Sequence, residues 1–450
     1  DRDYSYKKTF SDTLSLYDSK SKVKLRSEIR EPISGGSLWT FSNGIKVLYK
    51  KTSQRGEFNY ALMLRGGVAS VPDIRNGESA FVGDMLSLDR VAGLNPYDFK
   101  AMLAANGITM SGSAGISDMR ICGTAPKQKL RLLLRCLLSV SEKREPDKDA
   151  FRYYKQCESV RIDMQSLSAR DVNSLMDSIM RPEYFFTERK YIERLAEDLP
   201  QRCEKYFDAQ FDKVNDGLIV LMGDLDEEAL KKELCRALGG FRVMKRFAQR
   251  PSVKSRFASG DVSYTVESGP GLVGGSEIGV NVAMSAPMPY NMENYVAFRL
   301  AASCIRKEMV RTLSDMGAYF DLSARLEVFP DERISLFVNC HPCIESGLPS
   351  EVAAAAPLDM LGAVRKVTER IASLPLSGDE LAAFKEELQN DFQTSMQNTE
   401  YVMEAVMVRY SEGKDLVSGF GDALKNVSIE KVRSVLEMLA SGASVEYIII

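Results

Sequence analysis

From residue 38 onward the apolar positions change period several times, and each change marks a different element. Residues 38–41 and 45–49 are short apolar runs joined by Ser42-Asn43-Gly44, the turn chemistry of a hairpin. Residues 58–64 read as a third strand, ended by Gly66-Gly67. In 77–91 the spacing of Phe81, Met85 and Leu88 makes one apolar stripe at helical period. Residues 96–105 predict a second helix, stopped by Asn106-Gly107. Strands follow at 109–115 and 119–124, the first built of small, flat residues. Then come amphipathic helices at 127–140 and 151–164, a buried strand at 218–222 and a helix at 227–237.

A charged break at 245–254 ends this region, and the order then recurs. Strands are expected at 263–266 and 278–286, a helix at 293–313, and strands at 319–328 and 334–339. Helices at 353–374, 378–396 and 430–439 precede a closing strand at 445–450. Strands, helix, strands, long helices and a final strand thus appear twice. The fold class expected is α+β, with two similar domains at 37–245 and 255–450, each a mixed or antiparallel sheet with helices on one face. Residues 1–36 are rich in Ser, Lys and Asp, carry no sustained period, and read as a linker or arm.

Composition narrows the chemistry. The chain has 450 residues, 44% of them hydrophobic, enough for more than one buried core. Lys+Arg number 59 against 62 Asp+Glu, a balance that gives no pull toward nucleic acid or anionic membrane. No apolar run approaches the roughly eighteen residues of a membrane span. The chain opens at Asp1 without a Met and reads as a processed or excised piece. Six cysteines (Cys122, Cys136, Cys157, Cys203, Cys235, Cys304) sit in apolar contexts and are expected to be buried small hydrophobes. The histidine count decides most. With His341 alone, this chain cannot build a zinc site from a histidine pair.

Two motifs match known patterns and fail on context. Gly269-x-Gly271-x-x-Gly274 has dinucleotide-fingerprint spacing, but a strand follows it where a helix N-terminus would have to meet the pyrophosphate. Cys340-His341-Pro342-Cys343 has C-x-x-C spacing. Pro342 and Gly347-Leu348-Pro349 break the chain before any helix could lower the first thiol's pKa, and no second Cys/His pair completes a zinc site.

The segment Asn76-Gly77-Glu78-Ser79-Ala80-Phe81-Val82-Gly83-Asp84-Met85-Leu86 resembles the zinc helix of pitrilysin-type (M16) metallopeptidases. In that family the helix reads G-x-A-H-F-x-E-H, two His binding zinc and the Glu activating water. Here those three positions hold Ala80, Gly83 and Asp84, which give neither a ligand pair nor a base. The family's third ligand is a Glu on a later helix, for which Glu158 is the nearest match. The resemblance extends over most of 37–450. Leu38-Trp39-Thr40-Phe41-Ser42-Asn43-Gly44-Ile45-Lys46-Val47 is similar to the family's opening strand pair. Ala105-Asn106-Gly107-Ile108-Thr109 is similar to the approach to its edge strand, and Leu381-Ala382-Ala383-Phe384-Lys385 to a helix of its last domain.

The resemblance implies a non-catalytic C-terminal half, one shell of a clam-like chamber. Zinc would reside only in the catalytic half, carried on the same full-length chain or on a separate subunit. The degenerate half of such enzymes supplies an Arg and a Tyr that hydrogen-bond the substrate carbonyl, and Arg311 and Tyr319 stand where that pair belongs. The strand Thr109, Met110, Ser111, Gly112, Ser113 would hold a peptide or unfolded polypeptide by strand addition. The family also implies a cell-envelope or periplasmic setting. A purely structural or peptide-binding module, with no part in proteolysis, is the other reading these residues allow.

Overall fold

The computed structural model describes residues 14, 22–75, 78–164, 172, 176, 179–180, 195–247, 260–266, 279–316, 318–342 and 350–450. They form two compact units. The first holds the described residues of Asp1–Val160, Lys190–Val253 and Gln397–Ser418; the second holds those of Arg161–Arg189, Lys254–Met396 and Gly419–Ile450.

In the first unit the strands are β1 (Leu25–Arg30), β2 (Ser37–Phe41), β3 (Lys46–Lys50), β4 (Glu57–Arg65), β6 (Ser111–Ala114), β7 (Asp118–Pro126) and β9 (Gly217–Gly223). They make one sheet in the order β1-β2-β3-β9-β4-β7-β6. A separate ribbon pairs β5 (Asp89–Val91) with β8 (Arg144–Pro146). The expected hairpin is present: Gly44 turns at φ +87° and Trp39 pairs with Val47. All seven residues of β9 are buried, as its unbroken apolar sequence requires. Helices α1 (Val82–Leu86), α2 (Pro96–Ala105) and α3 (Leu130–Glu142) belong to this unit, as does α4 (Lys148–Met164) up to Val160.

The second unit carries β10 (Asp261–Val266), β11 (Gly279–Pro287), β12 (Ala318–Glu327), β13 (Arg333–Pro342) and β14 (Ala443–Ile449), in the order β10-β14-β11-β13-β12. Strand for strand this repeats the core of the first sheet, β3-β9-β4-β7-β6. The senses agree as well: β3 runs parallel to β9 and β10 to β14, and the other pairs are antiparallel. The recurrence expected from element order is therefore a recurrence of topology. Helices Met292–Leu313, Ser350–Thr368 and Ile429–Ala440 cover one face of the second sheet over Val282, Met284, Leu336 and Val338. The alternate residues Ala283, Phe337, Val445 and Tyr447 face the other way, against Val172, Met176 and Met180.

Three boundaries differ from the sequence reading. Part of the expected arm is a strand, since β1 pairs antiparallel with β2 (Glu28 with Trp39, Ile29 with Leu38). All six of its residues are exposed, so no apolar alternation announces it; backbone pairing holds it, helped by Lys231 Nζ donating to Glu28 at 3.2 Å. The helix expected over 77–91 is a 3₁₀ turn (Ser79–Phe81), the short α1, and then β5. Phe81 and Met85 do point into the core, but Ser87 closes the helix by donating from Oγ to the Asp84 carbonyl, and the chain leaves to pair with β8. Finally, the domain expected over 255–450 is interrupted, because Gln397–Ser418 joins the first unit. Its helix Thr399–Glu412 lies against β4 and β9, buries Val402 and Val406, and ties Glu404 to Arg120 at 2.5 Å.

Candidate functional site

The site begins at Glu78, fully buried and fixed by Arg202, whose Nη1 and Nη2 donate to its two carboxylate oxygens. The two-pronged contact gives both oxygens of this carboxylate a donor where burial has cut them off from water. The pair anchors the start of the degenerate segment, and α1 then runs directly onto β6. A Cβ placed on Gly83 would stand 2.9 Å from Ser113 Cα and 3.0 Å from Ala114 N. On the strand side, a Cβ on Gly112 would stand 3.0 Å from Leu86 Cδ2 and 3.3 Å from the Gly83 carbonyl oxygen. Two glycines face each other, and helix and strand close to backbone contact because neither has a side chain.

This bears on whether zinc fits. Ala80 lies in the 3₁₀ turn, and Gly83 and Asp84 lie in α1. The position of the family's general base has no room for any side chain, because backbone already fills it. Asp84 is engaged by α4, accepting from the Tyr154 hydroxyl at 2.5 Å. Glu158 stands on α4 one turn after Tyr154. The donor set therefore does not fit a zinc ion.

β6 is an edge strand, pairing only with β7 among the described residues. Thr109 precedes it and already pairs, its N–H donating to the Thr124 carbonyl. Gly115 N–H donates to the Asp118 carbonyl, so by alternation Ser111 and Ser113 bond inward to β7. Gly112 and Ala114 then aim N–H and C=O outward. Beside Met110, Ser111 and Gly112 lies a cavity of about 390 Å³, walled by Leu88, Val91, Phe99 and Leu103, with Asp84 and Asp89 in its lining. Asp89 is 5% exposed. Its Oδ2 lies 3.2 Å from Arg144 Nε, and Arg144 Nη2 also meets Asp208 at 2.5 Å. Burial pushes the Asp89 carboxyl up to about 7; Arg144 pulls it down, and Glu204 and Asp208 add to the rise. Sequence reasoning missed this pair, because nothing local connects Asp89 with a residue 55 positions later.

In the second unit, Arg311 sits in the last turn of Met292–Leu313 and Tyr319 is the second residue of β12. Arg311 Nη2 bonds the buried Glu308 at 2.7 Å, leaving much of its own side chain exposed. Tyr319 is 54% exposed and faces away from the helix layer, since the alternate residues of β12, Ala318, Phe320, Leu322, Ala324 and Leu326, pack toward it. Its ring stacks on His341, its register partner, at 5.2 Å between centroids. Cys340 is buried and its thiol is pushed up to about 12, the reverse of a redox-active thiol. Cys343 and the 269–274 glycine motif lie outside the described residues. Of the six cysteines expected inside, Cys136, Cys203 and Cys304 are buried, Cys122 and Cys235 half-buried, and Cys157 is exposed on α4.

The sequence matches no protein-family profile. It matches no curated protein either. Solved structures do share its fold. The periplasmic protease PqqL from Escherichia coli superposes with a TM-score of 0.72 at 14% identity, over 97% of this chain and 47% of PqqL. The first half of PqqL alone gives 0.69 at 12% identity, covering 97% of this chain and 93% of that one. A peptidase M16 inactive domain from Pseudomonas fluorescens gives 0.67 at 15% identity, with 91% and 97% covered. At these identities the fold is what is shared. This chain spans about half the length of PqqL. The likeness to a first half means that the fold does not distinguish an N-terminal from a C-terminal half.

Proposed function

Taking the fold of an M16 peptidase half as the premise, we propose that this chain is the non-catalytic half of an M16-type zinc peptidase. It would close the chamber against a catalytic half carried on the same full-length chain or on a separate subunit. Zinc and the general base belong, on this reading, to that other half. The observation that carries it is the contact between α1 and β6: Ser113 backbone stands where a side chain at Gly83 would have to be. Loss of the motif is thus built into the packing.

Two contributions to the reaction follow. β6 offers outward N–H and C=O groups to an extended polypeptide. Arg311 and Tyr319 would donate to the substrate carbonyl as negative charge develops on it, one through a guanidinium and the other through a phenol hydroxyl. The chamber would lie in the cell envelope, as the name of the periplasmic relative suggests. The test measures zinc content and hydrolysis of a quenched fluorescent peptide, for the isolated chain and for the chain with its catalytic half. We expect activity and stoichiometric zinc only when both halves are present. Chelator-sensitive hydrolysis by the chain alone would sink the proposal.

A second reading, a structural or peptide-binding module outside proteolysis, is favoured by one contact. Arg311 spends its charge on Glu308 of its own helix. A guanidinium so engaged contributes less to a substrate unless it exchanges partners.

A further inference from the structure

The two edge strands at equivalent positions are treated differently. On β12 the Leu322 carbonyl is capped by Arg306, whose Nη2 donates at 2.6 Å. On β6, no hydrogen bond reaches the outward groups of Gly112 and Ala114 among the described residues. A strand added to β6 would place the residue opposite Gly112 on the same face as the absent Gly112 side chain, because cross-strand partners project together. That face carries the cavity walled by Leu88, Val91, Phe99 and Leu103. At Gly112 itself α1 fills that face, with Leu86 and the Gly83 carbonyl against the strand, and the cavity opens beside Leu86.

The cavity's charges favour one class of side chain. Asp89 and Asp208 share the single guanidinium of Arg144. The Asp89 contact is an ion pair of poor alignment, since Oδ2 and Nε are both buried without a hydrogen bond. Asp84 is the second carboxylate of the lining beside Asp89, while Lys100 stands at the exposed rim, where water screens it. Two carboxylates, Asp84 and Asp89, thus stand in an apolar lining with one rim cation, and the excess of negative charge is full above about pH 7, where Asp89 is ionised. The exposed ring of Tyr97 lines the cavity and meets that of Tyr153 edge to face at 6.2 Å, and aromatic faces attract cations.

We propose that an extended polypeptide pairs with the outer edge of β6 and sends a lysine or arginine side chain into this cavity. The methylenes lie against the apolar wall and the charge reaches the Asp84 and Asp89 carboxylates. The inference rests on the reading of β6 as a polypeptide-binding edge, and it adds the class of residue selected.

The test uses the full 450-residue chain and three labelled nine-residue peptides of β-prone sequence, differing only at the centre: lysine, norleucine or glutamate. Fluorescence anisotropy reads binding. The lysine peptide is expected to bind roughly tenfold or more tighter than norleucine, the scale of one charge-assisted contact, with glutamate weakest. Asp84→Asn, which leaves Tyr154 an oxygen to donate to, should erase most of that preference, and Asp89→Asn should do likewise. N-methylating alternate amides of the lysine peptide removes strand pairing without touching the protein and should weaken it at least about tenfold. Binding that depends on the amides but ranks norleucine level with lysine overturns the cation inference and leaves the edge-strand reading standing. A lysine preference that survives in both Asn variants also overturns it. Absence of binding, or indifference to N-methylation, overturns the edge-strand reading itself.

Discussion

Gly83 and Ser113 are in contact through backbone alone: a Cβ on Gly83 would stand 2.9 Å from Ser113 Cα. That places the degenerate helix lower on its sheet than any side chain at 83 would permit. Gly83→Ala should therefore destabilise the first unit. Overpacking against backbone costs about 1–3 kcal/mol, offset by at most about 1 kcal/mol of helix propensity. A lowered urea midpoint is the expected result. Rebuilding the motif as Ala80→His, Gly83→Glu and Asp84→His should yield a destabilised chain without stoichiometric zinc. A well-folded zinc-loaded triple variant would show that α1 can lift off β6 at little cost.

Asp89 gives the chain a pH dependence of unusual sign for a carboxylate in an ion pair. Its folded pKa is raised to about 7, well above the usual carboxylate range, by burial first, with Arg144 on β8 opposing and Glu204 and Asp208 on Leu199–Phe211 adding. The folded state then holds this proton more tightly than the unfolded state. Stability from this group is present below about pH 4, declines as pH rises toward 7, and is flat above. The measurement is the difference in unfolding free energy between the native protein and Asp89→Asn at pH 5, 6, 7 and 8. That difference should fall from pH 5 to 7. A rise over the same interval would mean that Arg144 dominates burial.

How much of this could be read from the sequence depends on where the interactions are local. The hairpin at Asn43-Gly44, the buried strand β9 and the repeated strand order were legible, because burial imposes its period on consecutive residues. β1 was not, since all six of its residues are exposed and its partners, the β2 backbone and Lys231 against Glu28, are distant or non-periodic in the sequence. The replacement of the motif's residues by Ala80, Gly83 and Asp84 was visible, but the packing of Ser113 backbone against Gly83 was not. Asp89 and Arg144 looked like ordinary charges until the β5–β8 ribbon buried them together.

The helix Thr399–Glu412 offers a test of domain ownership. It comes late in the chain yet buries Val402 and Val406 within the first unit and pairs Glu404 with Arg120. Val406→Ala should cost about 1–3 kcal/mol through lost burial and a small cavity. Hydrogen exchange should locate the effect, with faster exchange in β4 and β9 and little change in β11 and β13. Loosening confined to the second sheet would contradict the assignment of this helix.

Arg311 and Tyr319 separate the peptidase-half reading from the structural one. Tyr319 is half-exposed, on the face of the second sheet opposite its helices, and its ring is fixed by stacking on His341. A ring held that way costs little further ordering when its hydroxyl donates to a ligand. In the assembled enzyme Tyr319→Phe keeps the stack and removes only the hydroxyl, so peptide affinity should change little. Turnover should fall roughly 10²–10³-fold, the range for removing one donor to a developing oxyanion. Arg311 differs because its guanidinium already bonds Glu308 at 2.7 Å. Arg311→Lys should reduce turnover as well, since an ammonium cannot keep the Glu308 contact and present a second planar pair of donors. Glu308→Gln is the informative partner: it weakens the hold on Arg311, and under the peptidase reading it leaves turnover level or raised. Full turnover in both Tyr319→Phe and Arg311→Lys would assign the pair to packing and leave the chain a structural module.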